Sequence, residues 1–176
     1  MIFALLISSF VLGLESEPPM QPFRQVGGWH VEIANEANNH CQMRAAFTDG
    51  VMFAFGFNGK ANGRPMWYMT NPAWKSQSPE ALASINSAQI IFDDAAEAPA
   101  FEVDAAGTTL NGMPMVGGLI NDTELFYRLR SSAKVKIEVN AGDSPMAPAI
   151  FPLKDSDAAV RALVECQRTM ATRPPG

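Results

Sequence analysis

The sequence predicts a mainly β protein, an antiparallel β-sandwich of about eight strands with short helices and a packed C-terminal helix. Apolar and polar residues alternate in short runs such as residues 29–33, which is typical of half-buried strands. Asp49-Gly50 separates two such runs and favours a tight hairpin, because both turn positions tolerate positive φ. A helical period replaces the alternation at residues 121–132 and again near the C-terminus.

From residue 29 onward, the alternating runs predict a meander of short strands joined by turns. The second run places Cys41 and Met43 on one face and Gln42 and Arg44 on the other, because successive side chains of a strand point to opposite faces. The predicted strands cover residues 29–33, 41–47, 51–57, 66–70, 89–93, 100–104, 113–120, 134–139 and 149–153.

Three segments predict helices. Ser78 followed by Pro79 marks the start of a short helix, and residues 121–132 change to a helical period. The C-terminal helix is expected to begin at Asp155 or Ser156. Its apolar stripe comprises Ala159, Leu163, Cys166 and Met170.

The N-terminal segment predicts export. Residues 1–16 contain an apolar run of thirteen residues, which is too short for a bilayer core and fits a secretory signal peptide, with an uncleaved anchor or a buried core segment as alternatives. Residues 17–26 are expected to be a linker, 27–170 a single β-rich domain and 171–176 a disordered tail. The expected location is the periplasm or the extracellular space, with no stable membrane span after signal removal.

The two cysteines, Cys41 and Cys166, predict a disulfide. An even, small number of cysteines in an exported chain favours a bridge, and Cys166 faces inward on the predicted helix. The bridge would close a loop for which chain-entropy estimates give about 4 to 5 kcal/mol as an upper figure. Two buried free thiols are the alternative.

Charge and motifs argue against nucleic acid and against catalysis. The net charge is −5, from 13 Lys+Arg and 18 Asp+Glu, whereas phosphate binding needs clustered cations. The sequence has no G-x-S-x-G, H-E-x-x-H or Walker motif, and the Asp93-Asp94 pair is interpreted as a solvated turn. We therefore expect no catalytic residues and no cofactor.

A metal site is conceivable at the start of the second strand. His30, His40, Cys41 and Met43 are ligand types that suit Cu(I). A disulfide at Cys41 would remove the thiolate, and methionines commonly fill gaps in cores. No metal site is therefore predicted, and a small-ligand or copper carrier of the cell envelope remains the alternative function.

An aromatic cluster predicts a contact surface. Trp67, Tyr68 and Trp74 lie close together in the sequence, and neighbouring residues of one strand must point to opposite faces. Tyr68 and Trp74 form the candidate interaction surface, with ordinary core packing as the alternative. The predicted function is that of a non-catalytic exported protein that binds an unknown protein or cell-envelope component.

These features resemble a known family. A first-strand Trp29, a Cys41-Gln42-Met43 segment, a glycine-turned aromatic strand and a closing strand-to-helix element follow one another. In this order they resemble the invasion-associated locus B family over roughly residues 27–168. The closing element consists of Phe151-Pro152-Leu153-Lys154 and residues 157–163. The resemblance implies a bacterial periplasmic or secreted β-sandwich without catalytic residues.

Overall fold

The computed structural model describes most of the chain downstream of residue 19. The described residues are 20–35, 40–58, 63–93, 100–110, 112–142 and 146–172. The predicted signal peptide at residues 1–16 and the end of the predicted tail, residues 173–176, lie outside these ranges.

Eleven strands form two antiparallel sheets in the described part of the chain, which confirms the predicted fold class. The larger sheet has the order β1-β2-β3-β4-β5-β9-β8, and the smaller has the order β11-β10-β6-β7. The strands are β1 (Gln21–Val26), β2 (Trp29–Asn35), β3 (His40–Ala46), β4 (Met52–Asn58), β5 (Arg64–Thr70), β6 (Ser87–Phe92), β7 (Phe101–Asp104), β8 (Ala106–Leu110), β9 (Met113–Leu119), β10 (Lys134–Asn140) and β11 (Ala149–Pro152).

In the described residues three α-helices accompany the sheets: α1 (Pro79–Ala83), α2 (Glu124–Ser131) and α3 (Ser156–Ala171). Ser78 caps α1, since its hydroxyl oxygen accepts a hydrogen bond from the Ala81 amide. The apolar stripe predicted for α3 is buried throughout. Within the described residues, no helix has the length and apolar character needed to cross a membrane.

The core lies between the two sheets, and the helices share it. Phe151 of β11 packs against Phe47 and Phe53, with ring centroids 4.7 and 5.0 Å apart. Phe126 of α2 packs edge-on against Phe55 of β4 at 4.5 Å. The larger sheet therefore has an inner face, which carries the core, and an outer face.

Three features differ from the sequence prediction: the start of the β-rich domain, one additional strand and the end of the C-terminal helix. Residues 21–26, predicted to be linker, form β1, which pairs with β2 and whose Arg24 makes a two-hydrogen-bond ion pair with Glu165 of α3. This strand escaped prediction because it is mostly exposed and lacks an apolar alternation. Strand β8 was also missed, since Gly107 and two threonines carry little apolar signal. Helix α3 extends to Ala171, one residue into the predicted tail.

Candidate interaction surface

The disulfide predicted between Cys41 and Cys166 is present. It joins β3 to α3, and the Cα atoms of the two residues are 6.2 Å apart. Both side chains are fully buried, so the bond lies inside the core. Because Cys41 points towards α3, its strand neighbours Gln42 and Arg44 point to the outer face of the larger sheet. The bridge is compatible with an exported protein.

The strand register identifies the other residues of the outer face. Directly paired residues of antiparallel strands project to the same side. Arg44 pairs with Ala54, Ala54 with Tyr68, and Tyr68 with Gly117, so this row crosses β3, β4, β5 and β9. We use the name Tyr68 face for the outward side chains of these four strands around Tyr68: Gln42, Arg44, Met52, Met66, Tyr68 and Met115.

One end of the Tyr68 face is a hydrogen-bonded polar cluster. Arg44 donates from Nε and from a terminal nitrogen to the two carboxylate oxygens of Glu32, each at 2.8 Å. The Tyr68 hydroxyl donates to Gln42 Oε1 at 3.0 Å, and the Gln42 amide donates to Met20 Sδ. Hydrogen bonding to Glu32 raises the pKa of the Arg44 guanidinium above its ordinary value. Arg44 therefore stays positively charged, and both of its hydrogen bonds are to the Glu32 carboxylate.

The other part of the Tyr68 face is apolar and made of flexible side chains. Met52, Met66 and Met115 are half-buried there, as is Tyr68 itself. Small residues lie between these side chains. Position 117 must be glycine because its Cα lies too close to β5 for a side chain. A Cβ at that position would come within 2.7 Å of the Tyr68 Cβ and 2.5 Å of the Trp67 carbonyl oxygen. Met52, Met66, Met115 and Tyr68 are therefore the large side chains of this part of the face.

The structure separates the two aromatic residues proposed as a contact surface. Tyr68 lies on the outer face, as required, but Trp74 is completely buried in the core, so its assignment to an exposed surface was wrong. Its indole Nε1 donates to the carbonyl oxygen of Ala147 at 2.9 Å. Residues 72–74 form a short 3-10 turn that follows β5 and returns the ring to the core. Trp67 is also buried, on the inner face.

The potential metal ligands near β3 do not form a site in the described residues. Cys41 is bonded to Cys166 and cannot supply a thiolate. His30 is exposed, whereas His40 is half-buried, with Nε2 lacking a hydrogen-bond partner. Desolvation lowers the pKa of His40. The described residues contain no group of three or more His, Cys, Asp or Glu side chains placed so that they could bind one metal ion.

Sequence reasoning missed the polar cluster that accompanies Tyr68. Glu32 and Gln42 are only 7% and 3% exposed, although alternation placed both on the polar side of their strands. The signal available was the charge pattern, since Glu32 and Arg44 lie at polar positions of adjacent predicted strands. The register that brings the two side chains together is a tertiary property.

The fold and this surface define a class of protein. It is an antiparallel β-sandwich that a disulfide ties to its C-terminal helix, with an outer face that carries three methionines and Tyr68. No protein-family model matches the chain, and no curated protein matches it. Among solved structures, the chain is similar to the crystal structure of invasion associated protein B from Bartonella henselae. The sequence identity is 15%, the TM-score is 0.55, and the match covers 86% of this chain and 99% of that chain. At this level of identity the likeness concerns the fold.

Proposed function

We propose that the protein is a non-catalytic exported binding protein of the invasion-associated locus B family, which contacts a cell-envelope protein through the Tyr68 face. The observation that carries the proposal is the composition of this face. Tyrosine, methionine and arginine are the residues enriched in the buried parts of protein interfaces. Here Tyr68, Arg44 and three methionines share one side of the larger sheet, opposite the core.

The chemistry of the face selects a protein partner with an apolar patch. Methionine side chains adapt their shape to a partner, and Tyr68 offers a large contact area at a low cost in conformational entropy. The Arg44 and Glu32 charges already satisfy each other, so they favour a partner surface without a large net charge. The similarity in fold to invasion associated protein B, together with Trp29 and Cys41-Gln42-Met43, supports the family assignment.

Site-specific photo-crosslinking in intact cells tests the proposed contact. A photoreactive phenylalanine analogue replaces Tyr68 in one variant and Tyr127, which is 66% exposed on α2, in a matched control. We expect an adduct of defined mass at position 68 and none at position 127. The crosslinked protein, once identified by mass spectrometry, should bind the purified chain directly. The variant Tyr68→Ala should weaken this binding by at least about tenfold, as for an interface hot spot.

Two results would reject the contact proposal. Either position 68 gives no adduct, or the adduct forms equally at position 127. A small molecule retained during native mass spectrometry of the secreted protein would instead support a ligand carrier.

Intact mass of the protein secreted from its host tests the proposed export. We expect loss of an N-terminal segment near residue 16 and no alkylation of Cys41 or Cys166 after denaturation without reductant. A full-length chain with two alkylated thiols would reject export. This result is independent of the crosslinking experiment, because it concerns processing and redox state only.

A further inference from the structure

A groove of about 630 Å³ runs along one edge of the smaller sheet. Residues 100–104, which include all of β7, line one side of it. The other side consists of Leu119, at the end of β9, and residues 121–124, which lead into α2. The long side of the groove is therefore a strand, which makes its shape suitable for an extended segment.

Strand β7 is an edge strand whose second side faces this groove. It pairs with β6 on one side. On the other side Gly118 of β9 lies against the backbone of Asp104, and no strand of the described residues pairs with the rest of β7. Of the other edge strands in the described residues, β1 and β11 each contain a proline, Pro22 and Pro152, which withholds one backbone donor, and β8 lies against α1. Strand β7 has the sequence Phe-Glu-Val-Asp and retains all of its amide donors. Its edge can accept another strand by β-augmentation.

The charges around the groove select the occupant. Glu102 and Asp104 project from β7, and Asp122 and Glu124 lie on the opposite wall. Neither lysine nor arginine occurs among the lining residues that the structure describes, although Arg128 makes hydrogen bonds of 3.3 Å to Glu124. A second copy of this chain presenting its own β7 would place acidic side chains against acidic side chains, which is unfavourable. A strand that carries cations meets complementary charge on both walls.

We propose that the β7 edge is a docking site for an extended segment of a partner protein rich in lysine or arginine, which pairs with β7 as an added strand. The backbone of β7 supplies hydrogen bonds, and the four carboxylates select cationic side chains at alternate positions of the segment. This site shares no residue with the Tyr68 face, although Leu119 at its border pairs with Met66, and it does not depend on that face.

Fluorescence anisotropy with a labelled, capped peptide that alternates lysine and valine tests the proposal on the purified oxidised protein. We expect saturable binding at low salt and no binding of the version in which glutamate replaces lysine. The double variant Glu102→Gln/Asp122→Asn should weaken binding by at least about tenfold, because it removes one carboxylate from each wall. The control Glu80→Gln/Glu165→Gln removes the same charge from exposed positions outside the groove and should leave binding unchanged.

Backbone methylation of the peptide separates strand pairing from simple charge attraction. Two versions carry N-methyl groups on alternate residues, one on each set of amides, and only one set would face β7 in an added strand. We expect one methylated version to bind at least about tenfold more weakly than the unmethylated peptide, and the other to bind with the same affinity as that peptide.

Three results would overturn the proposal: no binding of the lysine peptide at low salt, equal binding by both methylated versions, or equal loss in the control double variant. The Tyr68→Ala variant should bind the peptide normally, so a failure of this site is distinguishable from a failure of the Tyr68 face.

Discussion

Arg44 of β3 and Glu32 of β2 form a two-hydrogen-bond ion pair across neighbouring strands on the outer face of the larger sheet, with both bonds 2.8 Å long. The Glu32 side chain is 9% exposed and that of Arg44 is 35% exposed. The carboxylate has thus lost most of its contact with water, and the guanidinium compensates for that loss. The pair fixes the polar end of the Tyr68 face.

Removing one partner of this pair should destabilise the fold. We expect Arg44→Met to lower the free energy of unfolding by about 1 to 3 kcal/mol, because Glu32 is left buried without its charge partner. The value is reduced from that of a fully buried pair because solvent reaches Arg44. Urea denaturation followed by circular dichroism provides the measurement.

The exposed pair between Arg24 and Glu165 is the matched control, since its side chains are 47% and 53% exposed. We expect Arg24→Met to cost about 1 kcal/mol or less. Equal effects in the two variants would contradict a special role for the buried carboxylate of Glu32.

Opening the disulfide should also cost stability. In the double variant Cys41→Ala/Cys166→Ala we expect the free energy of unfolding to be about 2 to 5 kcal/mol lower than in the oxidised protein, because the bridge restricts a long loop of the unfolded chain. Both sulfur atoms are buried, so mild reductant should reduce the bond far more slowly in native buffer than in urea. Equal reduction rates with and without urea would contradict this prediction.

Trp74 should behave as a core residue. We expect Trp74→Ala to lower the free energy of unfolding by about 3 to 5 kcal/mol, because it creates a cavity and leaves the Ala147 carbonyl without its indole donor. Substitution of Tyr127, an exposed aromatic residue, by alanine should change stability by less than about 0.5 kcal/mol. Thermal unfolding of both variants by circular dichroism distinguishes the two environments. If Trp74→Ala were as stable as the wild type, the assignment of Trp74 to the core would be wrong.

His40 should make stability depend on pH. Because desolvation lowers its pKa in the folded state, the unfolded state binds the proton more readily. Its contribution is therefore fully present above the unfolded pKa near 6.5, and it is lost as pH falls from there through the folded pKa. One such group changes the free energy of unfolding by at most about 1.4 kcal/mol per pH unit.

The difference between wild type and His40→Gln isolates this contribution. Urea unfolding between about pH 5 and pH 8 should show a smaller loss of stability towards acid in His40→Gln than in wild type. The control His30→Gln, at an exposed histidine, should follow the wild-type profile. Identical profiles for His40→Gln and wild type would reject the assignment.

Local patterns determined much of the architecture. Alternation predicted nine of the eleven described strands, because burial on one face of a sheet imposes a period of two. The stripe on α3 placed Cys166 on the buried side, where it meets Cys41. The sequence could not reveal β1, because this strand has no apolar face. Its contacts with β2 and α3 hold it in place instead.

The candidate sites depended on tertiary structure. The sequence did not distinguish the exposure of Tyr68 from that of Trp74. Trp74 lies in the turn that follows β5, where the alternation of a strand does not predict which side chains are buried. That turn directs Trp74 into the core, while the sheet keeps Tyr68 on the outer face. Strand register likewise brought Glu32 to Arg44, and the crossing of the chain between sheets placed β7 opposite residues 121–124.

The sequence by itself determined which segments are strands and helices and which side of each is apolar, since these follow from local periodicity. Only the tertiary structure decided which polar and aromatic side chains meet, because that depends on contacts between residues distant in the chain.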